Sequence, residues 1–124
     1  MSEQTMSPRA LMEAIVRTAD AKKAREITAL QVTERTTLAD YFLMMTGTSS
    51  THIRALGDDI EFQLKQQGVT PHHVEGITSN WVLMDYGTVV VNIFLSETRE
   101  QYALERLWGD ATPVDLTNLI IKED

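Results

Sequence analysis

The chain is expected to form an α/β domain, a mixed β-sheet with helices packed on it, and three features of the sequence predict this. The segments that begin at Pro8 and Thr51 repeat apolar residues at helical spacing. Phe42-Leu43-Met44-Met45 is a short run apolar at both alternating positions, the pattern of a central strand covered on both faces. Trp81 to Phe94 holds two β-rich runs parted by Asp85-Tyr86-Gly87, a hairpin signal because Gly accepts the positive φ that closes such a turn. The order α-β-β-α-β-β-β-α is that of a sheet with helices laid on it.

Met1 to Met6 is polar overall and expected to be disordered. Ser7-Pro8 opens the first helix, with Ser as the cap and Pro at the first helical position. Leu11, Met12, Ile15, Val16 and Ala19 form its apolar stripe, and Lys22, Lys23 and Arg25 are placed at its negative end. Ile27 to Val32 is a strand, Thr33 to Thr37 a turn, and Asp40 to Thr46 the second strand. Gly47-Thr48-Ser49-Ser50 turns into a second helix over Thr51 to Gln67, capped by Ser49 or Ser50. Ile53, Leu56, Ile60 and Leu64 make the buried stripe of that helix, Phe62 lies off it, and Gly68 suits the residue beyond the end. Pro71 to Val74 is a short edge strand, since Pro lacks the N–H a central strand needs, and Glu75 to Asn80 is a loop.

In the second strand of the hairpin Val89, Val91, Ile93 and Leu95 share one face, and Thr88, Val90, Asn92 and Phe94 the other. Both faces carry apolar groups, so both are expected to be at least partly covered. Trp81, Asp85 and Tyr86 stand at the start and tip, where an indole, a carboxylate and a phenol suit recognition; core burial of Trp81 is the competing reading. Ser96 caps a last helix near Thr98 to Trp108, ended by Gly109. Leu104, Leu107 and Trp108 form its inner stripe, with Arg99, Tyr102 and Arg106 on the other face. Pro113 to Leu116 adds a short extended segment, and the acidic end is expected to be loose. The domain is thus placed at 7–116, between flexible termini at 1–6 and 117–124.

Composition excludes several chemistries. There is no cysteine, hence no disulfide, thiolate metal site or Cys nucleophile. No apolar run approaches the ~20 residues needed to span a bilayer, and no signal peptide is visible, so a cytoplasmic protein is expected. The net charge of −7 opposes binding through nucleic-acid phosphates and favours a basic protein partner. Gly47-Thr48-Ser49-Ser50 before a helix could hold a phosphate, but it lacks the second Gly and the Lys of a P-loop, so a turn with a helix cap is the better reading. Asp58, Asp59 and Glu61 could suggest magnesium, yet they fall on a solvated helix face. His52, His72 and His73 have no metal-ligand spacing, and there is no Gly-x-Ser-x-Gly elbow. No metal, cofactor or catalytic residue is expected; a small acidic interaction domain is.

One ordered set of residues carries more. Asp40-Tyr41-Phe42, Thr46-Gly47-Thr48-Ser49-Ser50, Glu75-Gly76, Trp81-Val82-Leu83-Met84-Asp85-Tyr86-Gly87, Val89-Val90-Val91-Asn92-Ile93-Phe94, Arg99 and Tyr102-Ala103-Leu104-Glu105-Arg106-Leu107-Trp108 occur in turn. From Ser7 to Trp108 the chain resembles the ribosomal silencing factor family, RsfS, also called Iojap-like. The resemblance implies a nucleotidyltransferase-like fold that has lost its catalytic strand carboxylates; Asp59-Ile60-Glu61 has their spelling but lies on a helix. It implies binding to the fourteenth protein of the large ribosomal subunit, on the face that meets the small subunit. That would block subunit joining and repress translation in nutrient limitation or stationary phase. It also implies a homodimer in isolation. The family's partner face maps onto Trp81, Asp85, Tyr86 and Phe94, with Arg99 and Tyr102 as further members. Two positions depart from the family pattern: Asn92, where His is usual, and Thr88, where Asp is usual. The alternative is a nucleotidyltransferase-like enzyme acting on a small nucleotide, which the missing carboxylates oppose.

Overall fold

The computed structural model describes residues 6–34, 36–103, 106, 109 and 111–120. Its elements are α1 (Pro8–Ala21), β1 (Arg25–Gln31), β2 (Tyr41–Gly47), α2 (Ser50–Gln66), β3 (His73–Thr78), β4 (Trp81–Asp85), β5 (Val89–Leu95), α3 (Ser96–Tyr102) and β6 (Thr112–Pro113). The strands form one sheet in the order β3-β4-β5-β2-β1-β6. Among the described strands only β2 and β5 run parallel, pairing from Tyr41↔Val89 to Gly47↔Leu95; the other neighbours are antiparallel.

Local chemistry explains the helices. The Ser7 hydroxyl accepts from the Ala10 N–H at 3.0 Å, and Pro8 occupies the first turn, where its missing N–H leaves nothing unpaired. All five stripe residues of α1 are buried. The helix stops at Ala21, Lys22 caps it, and Lys23 reverses the chain at φ 70°. The basic cluster therefore lies past the last turn, with Arg25 already in β1, which corrects its placement as the helix end. In α2 the Ser49 hydroxyl accepts from the His52 N–H at 3.0 Å, and Ile53, Leu56, Ile60 and Leu64 are fully buried. Gly68 follows at φ +84°, the left-handed conformation expected past a helix end.

Period-2 alternation sorts the sheet into two faces. Tyr41, Leu43 and Met45 of β2, Met84 of β4, and Val89, Val91 and Ile93 of β5 pack with the stripes of α1 and α2. Leu30 and Val32, Met44 and Phe94 form a second, smaller core on the opposite face, with Phe42 and Trp81 against it. Both faces of β5 are thus covered, as its sequence requires.

Several boundaries differ from expectation. Residues 75–78 belong to β3, not to a loop. All six β3 residues are exposed, so no apolar alternation marks this edge strand, and backbone pairing to β4 builds it. Ser96 is the first residue of α3, not its cap, and Leu95 in the cap position makes no side-chain hydrogen bond. Ala103 at φ 49° ends α3 after Tyr102, so Arg106 does not continue a helical face with Arg99 and Tyr102. Leu104, Leu107 and Trp108 lie outside the described residues, as do 1–5 and 121–124. The packed chain is longer than 7–116: Met6 and Ile120 lie against the core and Leu119 is buried.

Candidate partner-binding face

The face opposite α1 and α2 carries Trp81, Leu83 and Asp85 from β4, which stand beside Phe94, Asn92 and Val90 of β5 in register. Leu83, Asp85, Val90 and Phe42 are half-buried there. α3 docks at the end where β2 and β5 finish. Its tie is Arg99, which is buried: Nη1 donates to the Glu26 carbonyl at 2.7 Å and to Thr46 Oγ1 at 3.0 Å, and Nη2 donates to Thr28 Oγ1 at 3.0 Å. The guanidinium also lies 5.9 Å from the Phe94 ring centre.

An aromatic group occupies the border between α3 and the open sheet. The Trp81 ring centre is 5.8 Å from that of Phe94 and 4.8 Å from that of Tyr102, both tilted. Its Nε1 donates to Asn92 Oδ1 at 2.9 Å. Trp81 is half-buried, and Tyr102 is 46% exposed. Asp85 stands further along β4, where its Oδ1 accepts from the Gly87 N–H at 2.8 Å and shapes the turn. Gly87 has φ +88°, so a side chain there would be strained.

Three of the six residues assigned to the partner face do not present side chains to it. Phe94 and Arg99 are buried, and Tyr86 is 2% exposed on the α1–α2 side. Alternation decides Tyr86: it shares a face with Val82 and Met84, so the hairpin tip turns its phenol inward. The structure thus corrects the reading of Tyr86 as surface and leaves Trp81, Asp85 and Tyr102 accessible. Asn92, noted in the sequence only as a departure from the family pattern, is fully buried in a central strand and belongs to the group around Trp81. The signal was available, since a lone amide in Val-Val-Val-Asn-Ile-Phe must find a hydrogen-bond partner.

The turn before α2 is closed upon itself. The Thr48 N–H donates to His52 Nδ1 at 2.9 Å, His52 Nε2 donates to the Lys22 carbonyl at 2.9 Å, and the Ile53 N–H goes to the Ser49 carbonyl. The Thr48, His52 and Ile53 N–H groups are committed within the turn and its cap, which favours the turn-and-cap reading. A cleft of about 570 Å³ beside α3 sets Glu26 and Glu100 against Arg99 and Arg106, a balance that attracts neither sign strongly. Among the described residues no group of three His, Asp or Glu is arranged to hold a metal, and no helix is long and apolar enough to cross a membrane.

The fold and face define a mixed α/β domain with one sheet surface only partly roofed. Comparison with known proteins places it: residues 5–124 match the family model described as "Ribosomal silencing factor during starvation". The ribosomal silencing factor RsfS of Halalkalibacterium halodurans is 36% identical over 116 residues, covering 93% of this chain and 99% of that one. The mouse "Mitochondrial assembly of ribosomal large subunit protein 1" is 34% identical over 91 residues, covering 70% of this chain and 40% of the other. A crystal structure of a Chromobacterium violaceum protein superposes with a TM-score of 0.81 at 30% identity, over 84% of this chain and 88% of that one. The chain belongs to the ribosomal silencing factor family.

Proposed function

We propose that this chain is a translational repressor that binds the large ribosomal subunit through its fourteenth ribosomal protein and sterically blocks joining of the small subunit in nutrient limitation or stationary phase. The observation that carries the reading is the partly roofed sheet face, where Trp81 and Tyr102 pack together at one end and half-buried Leu83 and Val90 and the carboxylate of Asp85 follow further along the same face. An aromatic anchor flanked by apolar surface is the usual centre of a protein interface, and a net charge of −7 suits a basic protein better than bare RNA. The family description and the name of the mouse relative support the ribosome as target and, within it, the large subunit. Trp81, Asp85 and Tyr102 touch the partner in this reading, while Phe94, Arg99 and Tyr86 support the face from beneath.

We read the fold as nucleotidyltransferase-like without the catalytic carboxylates. The parallel β2–β5 pair with Gly47–Ser50 at its end supports this, as does the position of Asp59 and Glu61 on α2. The chain acts in the cytoplasm as a non-enzymatic factor and is a homodimer in isolation; Phe62, 57% exposed, and Tyr102 offer apolar surface for self-association.

Sedimentation with purified bacterial subunits tests the central reading. The protein should travel with large subunits and not with small ones, and should prevent the two from joining. Equal binding to both, or to neither, overturns it. Magnesium-dependent nucleotide affinity in the micromolar range by calorimetry would instead favour the enzyme alternative.

A further inference from the structure

We propose that Asn92 is a positioning residue for the contact made by Trp81: its buried amide fixes the indole in the orientation that the partner meets. This rests on the reading of Trp81 as part of the interface. Trp81 faces Phe94 in the β4–β5 register, and Asn92 is the diagonal neighbour on the same face. An indole standing straight out of the sheet would point to solvent; this one leans along the strand, because Nε1 reaches Asn92 Oδ1 at 2.9 Å. Phe94 packs on the ring and Tyr102 packs on it too. The amide is itself held, since its Nδ2 lies 3.5 Å from the Leu43 carbonyl of β2, and the residue has no exposed surface. The hydrogen bond is therefore the one polar constraint the described residues place on an otherwise apolar ring contact. An aliphatic side chain of similar size would fill the volume of Asn92 and leave the indole free to turn about its side-chain bonds. A partner would then have to freeze that motion on binding, which weakens affinity without removing any direct contact.

A double-mutant cycle on binding to purified bacterial large subunits reads the role. Asn92→Leu should weaken binding roughly 3- to 10-fold in the parent. In a Trp81→Phe background, where no indole N–H remains, Asn92→Leu should change binding by less than about twofold, because the tether has nothing left to hold. In ¹⁵N spectra the Trp81 indole cross-peak, identified by its loss in Trp81→Phe, should move upfield and exchange faster in Asn92→Leu. Asn92→Asp should restore both: burial keeps its carboxyl protonated, so its carbonyl oxygen accepts from the indole and its O–H donates to Leu43. If Asn92→Leu does not fold, Asn92→Ser, too short to reach the indole, takes its place in the same cycle. Equal losses in both backgrounds, or an unmoved indole peak with parental binding, overturn the proposal. If folded Trp81→Ala still binds large subunits normally, the interface reading falls and this role falls with it. If Trp81→Ala loses binding while the cycle is additive, the positioning role alone is wrong.

Discussion

Tyr86 belongs to the core that also holds Met84, Val89 and the α2 stripe, with its hydroxyl oxygen buried and without a hydrogen-bond partner among the described residues. Burial pushes its ionisation well above the ordinary range, and the negative charge of Glu61 adds to the push. The folded state thus holds the phenol proton more tightly than the unfolded chain, whose tyrosines ionise near pH ~10. The contribution of this group to stability is whole below that pH and is lost as the pH rises beyond it. Tyr86→Phe removes the unpartnered oxygen and keeps the ring, so urea denaturation at neutral pH should find stability unchanged or raised by about 1 kcal/mol, with a shallower alkaline decline. A loss above that size would mean the hydroxyl is hydrogen-bonded. The inward turn of Tyr86 is legible in the alternation of Val82, Met84 and Tyr86, although its place at the hairpin tip suggests exposure. The Trp81–Asn92 bond was half legible, since the buried amide demanded a partner but strand register was needed to name it.

Elements differ in how far their sequences announce them. α1 and α2 carry full apolar stripes and side-chain caps; α2 lies within a residue of its expected bounds, and α1 starts where Ser7-Pro8 puts it but ends at Ala21, short of the basic cluster. β3 has no buried residue, so only its pairing to β4 defines it. The end of α3 depends on Ala103 taking a left-handed conformation, which nothing in an alanine signals. The junction of β2 and α2 is tighter than a generic turn. A Cβ on Gly47 would stand 2.9 Å from Ile53 Cγ1 and 3.3 Å from the Ile53 backbone nitrogen, and the backbone cannot yield without breaking the cap. Gly47→Ala should therefore cost about 1–3 kcal/mol by overpacking, measured by chemical denaturation; a neutral result would mean the junction relaxes freely. α3 hangs on Arg99. Arg99→Met removes three hydrogen bonds from buried or half-buried acceptors and should cost about 2–3 kcal/mol. It should also loosen Tyr102 from Trp81, visible as changed near-ultraviolet dichroism. Unchanged stability would show that α3 is held by packing alone.

At the scale of the whole molecule, charge and surface have to be reconciled with an RNA-rich target. A protein of net charge −7 is repelled by phosphate, so in the proposed role its approach to a large subunit would be guided by local attraction to a basic protein patch. Asp85 is the carboxylate of the proposed face, but reversing it confounds two effects, because its Oδ1 also accepts from the Gly87 N–H and shapes the turn. Asp85→Asn separates them: the amide oxygen can still accept that bond, while the charge is gone. Stability should stay within about 0.5 kcal/mol of the parent, association with purified large subunits should slow several-fold at low salt, and the parent and variant should converge as salt screens the attraction. Dissociation should change little, since a charge at the rim acts mainly on encounter. Trp81→Ala should do the reverse, leaving association nearly untouched and raising dissociation, for a total cost of about 2–4 kcal/mol in binding. Loss of a core ring would instead cost about 3–5 kcal/mol of folding stability. A Trp81→Ala protein that melts far below the parent, yet binds normally once folded, would therefore move the contact away from this face. One that melts near the parent and no longer travels with large subunits would keep it there.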